Sequence, residues 1–256
     1  MYPYIVVFIL GAIVGSFLNV CIYRIPRRKS IVFPSSRCPK CNTPISPLDN
    51  IPILSFLLLR GKCRDCKEKI PVRYPVVEGL NALLYVLALW RFGLGAYTVI
   101  GMVFVSAMII ITFIDLDFQI IPDVITLPGI AIGLILSIFI LIDPYDRTEH
   151  IGIVNSVIGM LIGGGSFYLI AMISRGGMGG GDIKMMGMVG TFLGWKGVLM
   201  TTFIGSFTGA IIGIFLMVFK GKGRKAKIPF GPFLALGSLC SLFAGQELMW
   251  LYFNIS

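Results

Sequence analysis

The chain has 256 residues, of which 56% are hydrophobic and 13% charged, with a mean hydropathy of +0.90. A soluble domain carries about 25% charged residues, so the composition excludes a soluble globular protein and indicates several membrane spans. The net charge of +10 does not imply a nucleic-acid partner: twelve of the 22 Lys and Arg lie between Arg24 and Arg73 and five more between Lys220 and Lys227. Basic residues gathered in short loops beside apolar spans are the positive-inside pattern.

In chain order, the first apolar run, Tyr4 to Ile22, reaches the roughly 20 residues needed to cross a bilayer. Met1 to Val20 has no basic n-region and its charges follow the apolar run, so it is expected to be a first span entering the cytoplasm rather than a cleaved signal peptide. Arg24 to Arg73 is the main polar segment, and its seven prolines argue against long helices within it. Inside it, Asn50 to Leu59 is apolar but too short to span. Further spans are predicted over Val76–Phe92, Ala96–Ile114, Val124–Ile142 and Ile151–Ile173, then over Ile183–Trp195, Val198–Phe219 and Pro229–Phe253. Ile183–Trp195 is short for a crossing. Gly163-Gly164-Gly165 permits close helix approach in its span.

Eight crossings put both termini outside and leave 19 of the 22 basic residues in cytoplasmic loops, with Arg91, Arg147 and Lys196 outside. The expected fold is therefore an all-α polytopic membrane protein of about eight transmembrane helices. A small cytoplasmic four-cysteine module lies between the first and second. The expected division is 1–23 (first helix), 24–75 (zinc-binding module), 76–95 (second helix) and 96–256 (a six-helix domain).

Cys38-Pro39-Lys40-Cys41 and Cys63-Arg64-Asp65-Cys66 are two CxxC knuckles with the spacing of a structural four-cysteine zinc site. Four protein ligands leave no open position, so the metal is expected to be structural rather than catalytic. The surrounding loop faces a reducing compartment, which disfavours disulfides. Cys21 and Cys240, in apolar runs, read as small buried hydrophobes.

Two acidic clusters sit at ends of apolar runs: Ile114-Asp115-Leu116-Asp117 with Pro122-Asp123, and the glycine-rich stretch from Gly176 to Asp182. The eight-span topology puts Asp115, Asp117, Asp123 and Asp182 on one face. Two carboxylates in one low-dielectric site cannot both ionise cheaply, so one holds a proton while the other takes one from water. A helix cap is the competing reading for Asp182, a cap or turn residue for Asp123 and a solvated side chain for Asp117. The lone His150 falls on the opposite face, which removes Ser-His and Cys-His catalysis. Glu78, inside the second span, can pair with Arg73 or bind a cationic ligand; the residues leave both open.

These motifs together resemble the bifunctional type IV prepilin peptidase family of leader peptidase/N-methyltransferases. The resemblance runs through Gly15-Ser16-Phe17-Leu18-Asn19-Val20, Tyr23-Arg24-Ile25-Pro26, both CxxC knuckles, Asn50-Ile51-Pro52, Leu59-Arg60-Gly61-Lys62-Cys63 and Arg73-Tyr74-Pro75-Val76-Val77-Glu78. It continues with Ile114-Asp115, Pro122-Asp123-Val124-Ile125-Thr126 and Gly179-Gly180-Gly181-Asp182-Ile183-Lys184, where Gly180 takes the variable place of GxGD. The resemblance implies a GxGD-type aspartyl protease of the bacterial inner membrane, with Asp115 and Asp182 catalytic and Cys38, Cys41, Cys63 and Cys66 holding zinc. It also implies prepilin or pseudopilin substrates, cut after a glycine at the cytoplasmic face and then N-methylated from S-adenosylmethionine. Glu78 is the one candidate for the methyl-donor site. The rival readings are a cation- or proton-coupled transporter with a zinc cap, and a non-enzymatic secretion scaffold.

Overall fold

A computed structural model describes residues 2–147, 149–174, 177–220 and 228–255. The predicted basic loop, apart from Lys220, and the first residue of the glycine-rich stretch, Gly176, lie outside these. Among the described residues eight α-helices run in order: α1 (Tyr2–Arg24), α2 (Leu54–Leu58), α3 (Arg73–Phe92), α4 (Ala96–Phe118), α5 (Asp123–Phe139), α6 (Gly152–Ile173), α7 (Gly180–Lys220) and α8 (Gly231–Ile255). Only isolated β-bridges occur among the described residues. The all-α expectation holds. Among the described residues six helices are long and apolar enough to cross a membrane, and α5, at 17 residues with Pro128 inside it, is a shorter apolar helix.

The chain divides into two compact units, Met1–Ile110 and Ile111–Ser256. In the first, α1 and α3 meet backbone to backbone. A Cβ on Gly11 would lie 2.7 Å from the Cα of Ala82, and one on Gly15 would lie 2.7 Å from the Cα of Glu78. Gly11 and Gly15 are one turn apart on α1, the small-xxx-small spacing that lets helices pack closely without help from water. The contact is fixed by buried polar groups. Asn81 donates to the Gly11 carbonyl at 2.7 Å, Ser106 donates to Asn81 Oδ1 at 3.1 Å, and Tyr85 and Ser106 share a 2.9 Å hydrogen bond. In an apolar bundle an unpaired amide or hydroxyl is costly, so this chain of bonds specifies the register.

The second unit is organised around α7. Its run of 41 residues is interrupted at Gly194, whose φ of 67° and ψ of −176° fall in a region open essentially to glycine alone. Ser156 of α6 donates to the Thr191 carbonyl, and Gly159 and Gly163 lie against Gly190 and Met186, so α6 and residues 180–193 are antiparallel. Beyond Gly194 the register runs the other way: Gly163 meets Val198, and Ser166, Phe167 and Ile170 share a groove with Thr202 and Ser206. The chain therefore reverses at Gly194 into a helical hairpin, as the separate stretches Ile183–Trp195 and Val198–Phe219 suggest. At about 1.5 Å per residue the first arm spans only about 21 Å, less than the roughly 30 Å hydrocarbon core.

Glycines also seat the other helices on this hairpin. Gly129 and Gly133 of α5 face Met188 and Thr191, and Gly205 faces the Phe233 carbonyl of α8. Replacing Gly194 by Ala is expected to cost about 1–3 kcal/mol. Gly165→Ala, where a Cβ meets nothing within 4 Å, should not destabilise the fold. Thermal unfolding in detergent checks the pair, and equal melting points would contradict the reversal.

Candidate active site and metal centre

Asp115 lies in the last turn of α4 and is 5% exposed. Its Oδ2 accepts the Gly231 backbone N–H, the first amide of α8, at 2.9 Å. Asp182 lies in the first turn of α7, half-buried; its N–H donates to the Gly179 carbonyl at 3.1 Å. Its carboxyl lies beside Gly179, the residue before the helix, where a capping side chain would sit. Asp115 lies near enough to Asp182 for the two carboxyls to interact electrostatically.

The geometry accounts for the GxGD pattern residue by residue. A Cβ on Gly181 would sit 2.7 Å from the Ile121 Cβ, so glycine lets the start of α7 press on the segment before α5. A Cβ on Gly179 would lie 3.2 Å from Asp182 Oδ2, crowding the carboxylate. One on Gly180 would meet nothing within 4 Å, so the space there makes no demand for glycine.

The other acids of the cluster take different roles. Asp117 is exposed. Asp123, first residue of α5, receives Lys184 Nζ on both carboxylate oxygens at 2.7 Å. That exposed pair ties α5 to α7 two residues past Asp182, though an ion pair of this exposure contributes little energy.

The two CxxC knuckles fold alike. In the first, Cys38 N–H donates to the Thr43 carbonyl and Asn42 N–H to Cys38; in the second, Cys63 N–H donates to Glu68 and Lys67 N–H to Cys63. Asn42 and Lys67 both adopt left-handed backbone, at φ 58° and 59°. The four sulfurs lie within 4.8 Å of one another, with Cys38 and Cys66 3.7 Å apart. A tetrahedron with metal–sulfur bonds of about 2.3 Å has edges of about 3.8 Å, so the cluster fits a zinc ion.

Protonation points the same way. Hydrogen bonds from Thr43 pull the Cys41 thiol down to about 6. The Glu68 amide also lowers Cys66, but desolvation and the neighbouring thiols outweigh it and leave Cys66 at about 11. Four thiolates coexist only around a cation. Lys40–Glu68 at 2.7 Å bridges the knuckles, and Arg64 clamps Asp49 through two nitrogens, holding its carboxyl below the usual range.

Glu78 is 7% exposed on the α1–α3 seam, where its Oε2 accepts the Ile53 N–H at 2.7 Å. Ile53 has a φ of 62°, a strained conformation for a β-branched residue. Glu78 thus staples the apolar segment ahead of α2 to the helix pair. No local sequence signal marks that bond, nor the Gly231 contact to Asp115.

Residues 9–92 match the bacterial peptidase A24 N-terminal domain, and residues 102–214 match the type IV leader peptidase family. A prepilin leader peptidase/N-methyltransferase of Pseudomonas putida is 32% identical over 94% of this chain and 90% of its own length. The chain belongs to this family. A relative of the same name from Neisseria gonorrhoeae is 34% identical over 94% of this chain and 90% of its own. Another, from Myxococcus xanthus, is 38% identical over 84% and 63%. No solved structure matches the chain significantly. Asp115 and Asp182 fall within the leader peptidase match, and the four cysteines and Glu78 within the N-terminal one. Family membership disfavours the transporter and scaffold readings.

Glu78→Ala should cost about 1.5–3 kcal/mol by leaving the Ile53 amide without its charged acceptor. Hydrogen exchange over residues 51–58 should speed up while the metal content stays unchanged. Unchanged exchange would show that Glu78 does not hold this segment.

Proposed function

We propose that this protein removes the leader of prepilin or pseudopilin substrates with an Asp115–Asp182 dyad and then N-methylates the new terminus. The observation that carries the peptidase reading is the electrostatic interaction of these two acids, 67 positions apart in the chain, with Asp115 held by the Gly231 amide in an apolar bundle. One carboxylate takes a proton from water as the water oxygen bonds to the scissile carbonyl carbon. The partner, protonated, first hydrogen-bonds the carbonyl oxygen. A proton from the pair then passes to the departing nitrogen as the C–N bond breaks. The pair titrates as a unit, and no covalent acyl intermediate forms.

The peptidase domain is assigned to 96–256 and the zinc module to 24–75. Zinc at Cys38, Cys41, Cys63 and Cys66 orders the module and takes no part in the chemistry. S-adenosylmethionine, when bound, supplies the methyl group. Two groups on the α1–α3 seam fit a cationic ligand of that kind: the Glu78 carboxylate and the buried Asn19 Oδ1, which has no hydrogen-bond partner. Both are acceptors, as a sulfonium or ammonium group requires. The protein is placed in the bacterial inner membrane with both termini outside and the dyad at the cytoplasmic face, where the junction between a basic leader and an apolar segment would lie.

The test is purified protein incubated with a prepilin, with leader loss and methyl gain followed by mass. Asp115→Asn and Asp182→Asn should each abolish cleavage while remaining inserted and zinc-loaded; Asp117→Asn should be tolerated and Asp123→Asn intermediate. Cleavage persisting in Asp182→Asn would leave that residue a helix cap alone. Elemental analysis should find about one zinc per chain, lost when Cys38 or Cys63 becomes Ser. Metal-free wild type would refute the zinc assignment.

A further inference from the structure

The first turn of α8 offers Asp115 a single donor. Phe230 caps the helix: its carbonyl accepts the amides of Phe233 and Leu234 at 3.1 and 3.2 Å. Pro232 has no N–H, so of the amides that open the helix only that of Gly231 is available, and it is spent on Asp115 Oδ2. The ring of Phe230 stacks on Phe167 of α6 at 6.4 Å and lies 6.4 Å from Phe233, which fixes where this amide points.

Glycine at 231 answers a need for space, not for a turn, since its φ lies outside the left-handed range. A Cβ there would sit 2.7 Å from Asp115 Oδ2, 3.2 Å from its Cγ and 3.3 Å from its Cβ. Any side chain at this position would push the carboxylate away from the amide that holds it.

We propose that Gly231 is a positioning residue for peptide cleavage. Its amide pins Oδ2 of Asp115, and its missing side chain lets the carboxylate lie against the start of α8, leaving Oδ1 without that donor and available to the reaction. The proposal rests on Asp115 belonging to the catalytic pair. The start of α8 is thereby a third element of the site, beside the end of α4 and the start of α7.

Wild-type protein carrying 13C-carbonyl Phe and 15N-Gly tests this without any change at the site. Only Phe92-Gly93 and Phe230-Gly231 join these residues, and Phe92→Leu leaves Gly231 as the sole coupled amide signal. The Gly231 amide shift should move with pH at the same midpoint as leader cleavage, and Asp115→Asn should abolish that movement. A Gly231 signal that stays flat while activity titrates overturns the proposal.

In kinetics, Gly231→Ala should lower kcat by about 100-fold, as misplacement of a catalytic group by about an ångström does, with KM changed less than about twofold. Gly237→Ala is the control in the same helix, since its Cβ would meet the Thr201 carbonyl oxygen at 2.5 Å, away from Asp115. It should lower the melting temperature while the folded fraction keeps its kcat. If Gly231→Ala behaves like this control, the positioning role is refuted. Fully active Gly231→Ala beside inactive Asp115→Asn would sink this proposal alone, whereas active Asp115→Asn would sink the dyad with it.

Discussion

A carboxylate buried among apolar helices is the constraint on which the second unit depends. Asp115 is almost inaccessible, and the structure gives it a backbone amide. A fully paired carboxylate would be a quiet structural group; a wholly unpaired one would be too costly to keep. One amide on Asp115 and an interacting acid at 182 leave that carboxylate neither fully paired nor abandoned. Holding it there requires three helix ends to converge, and the side chains at those ends have to be absent for the convergence to happen.

That explains where the glycines fall. Gly181 admits the Ile121 segment, Gly231 admits Asp115, and Gly190 and Gly159 bring two helices into backbone contact beside them. Gly194 turns the chain back so that both arms of the hairpin line α6. The same economy operates in the first unit, where Gly11 and Gly15 bring α1 against α3 and expose the carbonyl that Asn81 reads. With little hydrophobic drive between helices in lipid, close backbone approach and a few buried polar bonds carry the specificity. The many large apolar side chains on the outside of each unit, such as Phe203, Phe207 and Ile211, suit a lipid surroundings.

Much of this was legible in the residues. Apolar runs of crossing length marked α1, α3, α4, α6 and α8, and the paired CxxC knuckles and GxGD carried their chemistry in fixed local spacing. Less legible were the features made by distant parts of the chain. The helix of Asp182 starts at Gly180 rather than Ile183, because Gly181 packs on Ile121 and extends it by a turn. Whether Asp182 caps a helix or performs chemistry turns on Asp115, a distant neighbour that no local spacing around residue 182 marks. Glu78 could pair with Arg73 on sequence grounds, yet it takes the amide of Ile53, whose left-handed backbone no propensity foretells. Gly231 lies 116 positions from the acid it touches, beyond the reach of any local pattern.

The claim that two acids act as one site is tested most directly by comparing leader cleavage in Asp115→Asn, Asp182→Asn and the double variant, all inserted and zinc-loaded. Groups that work as a unit fail together, so each single change should lower kcat/KM nearly as far as both combined. Losses that multiply, with the double variant falling well below either single one, would contradict a shared dyad.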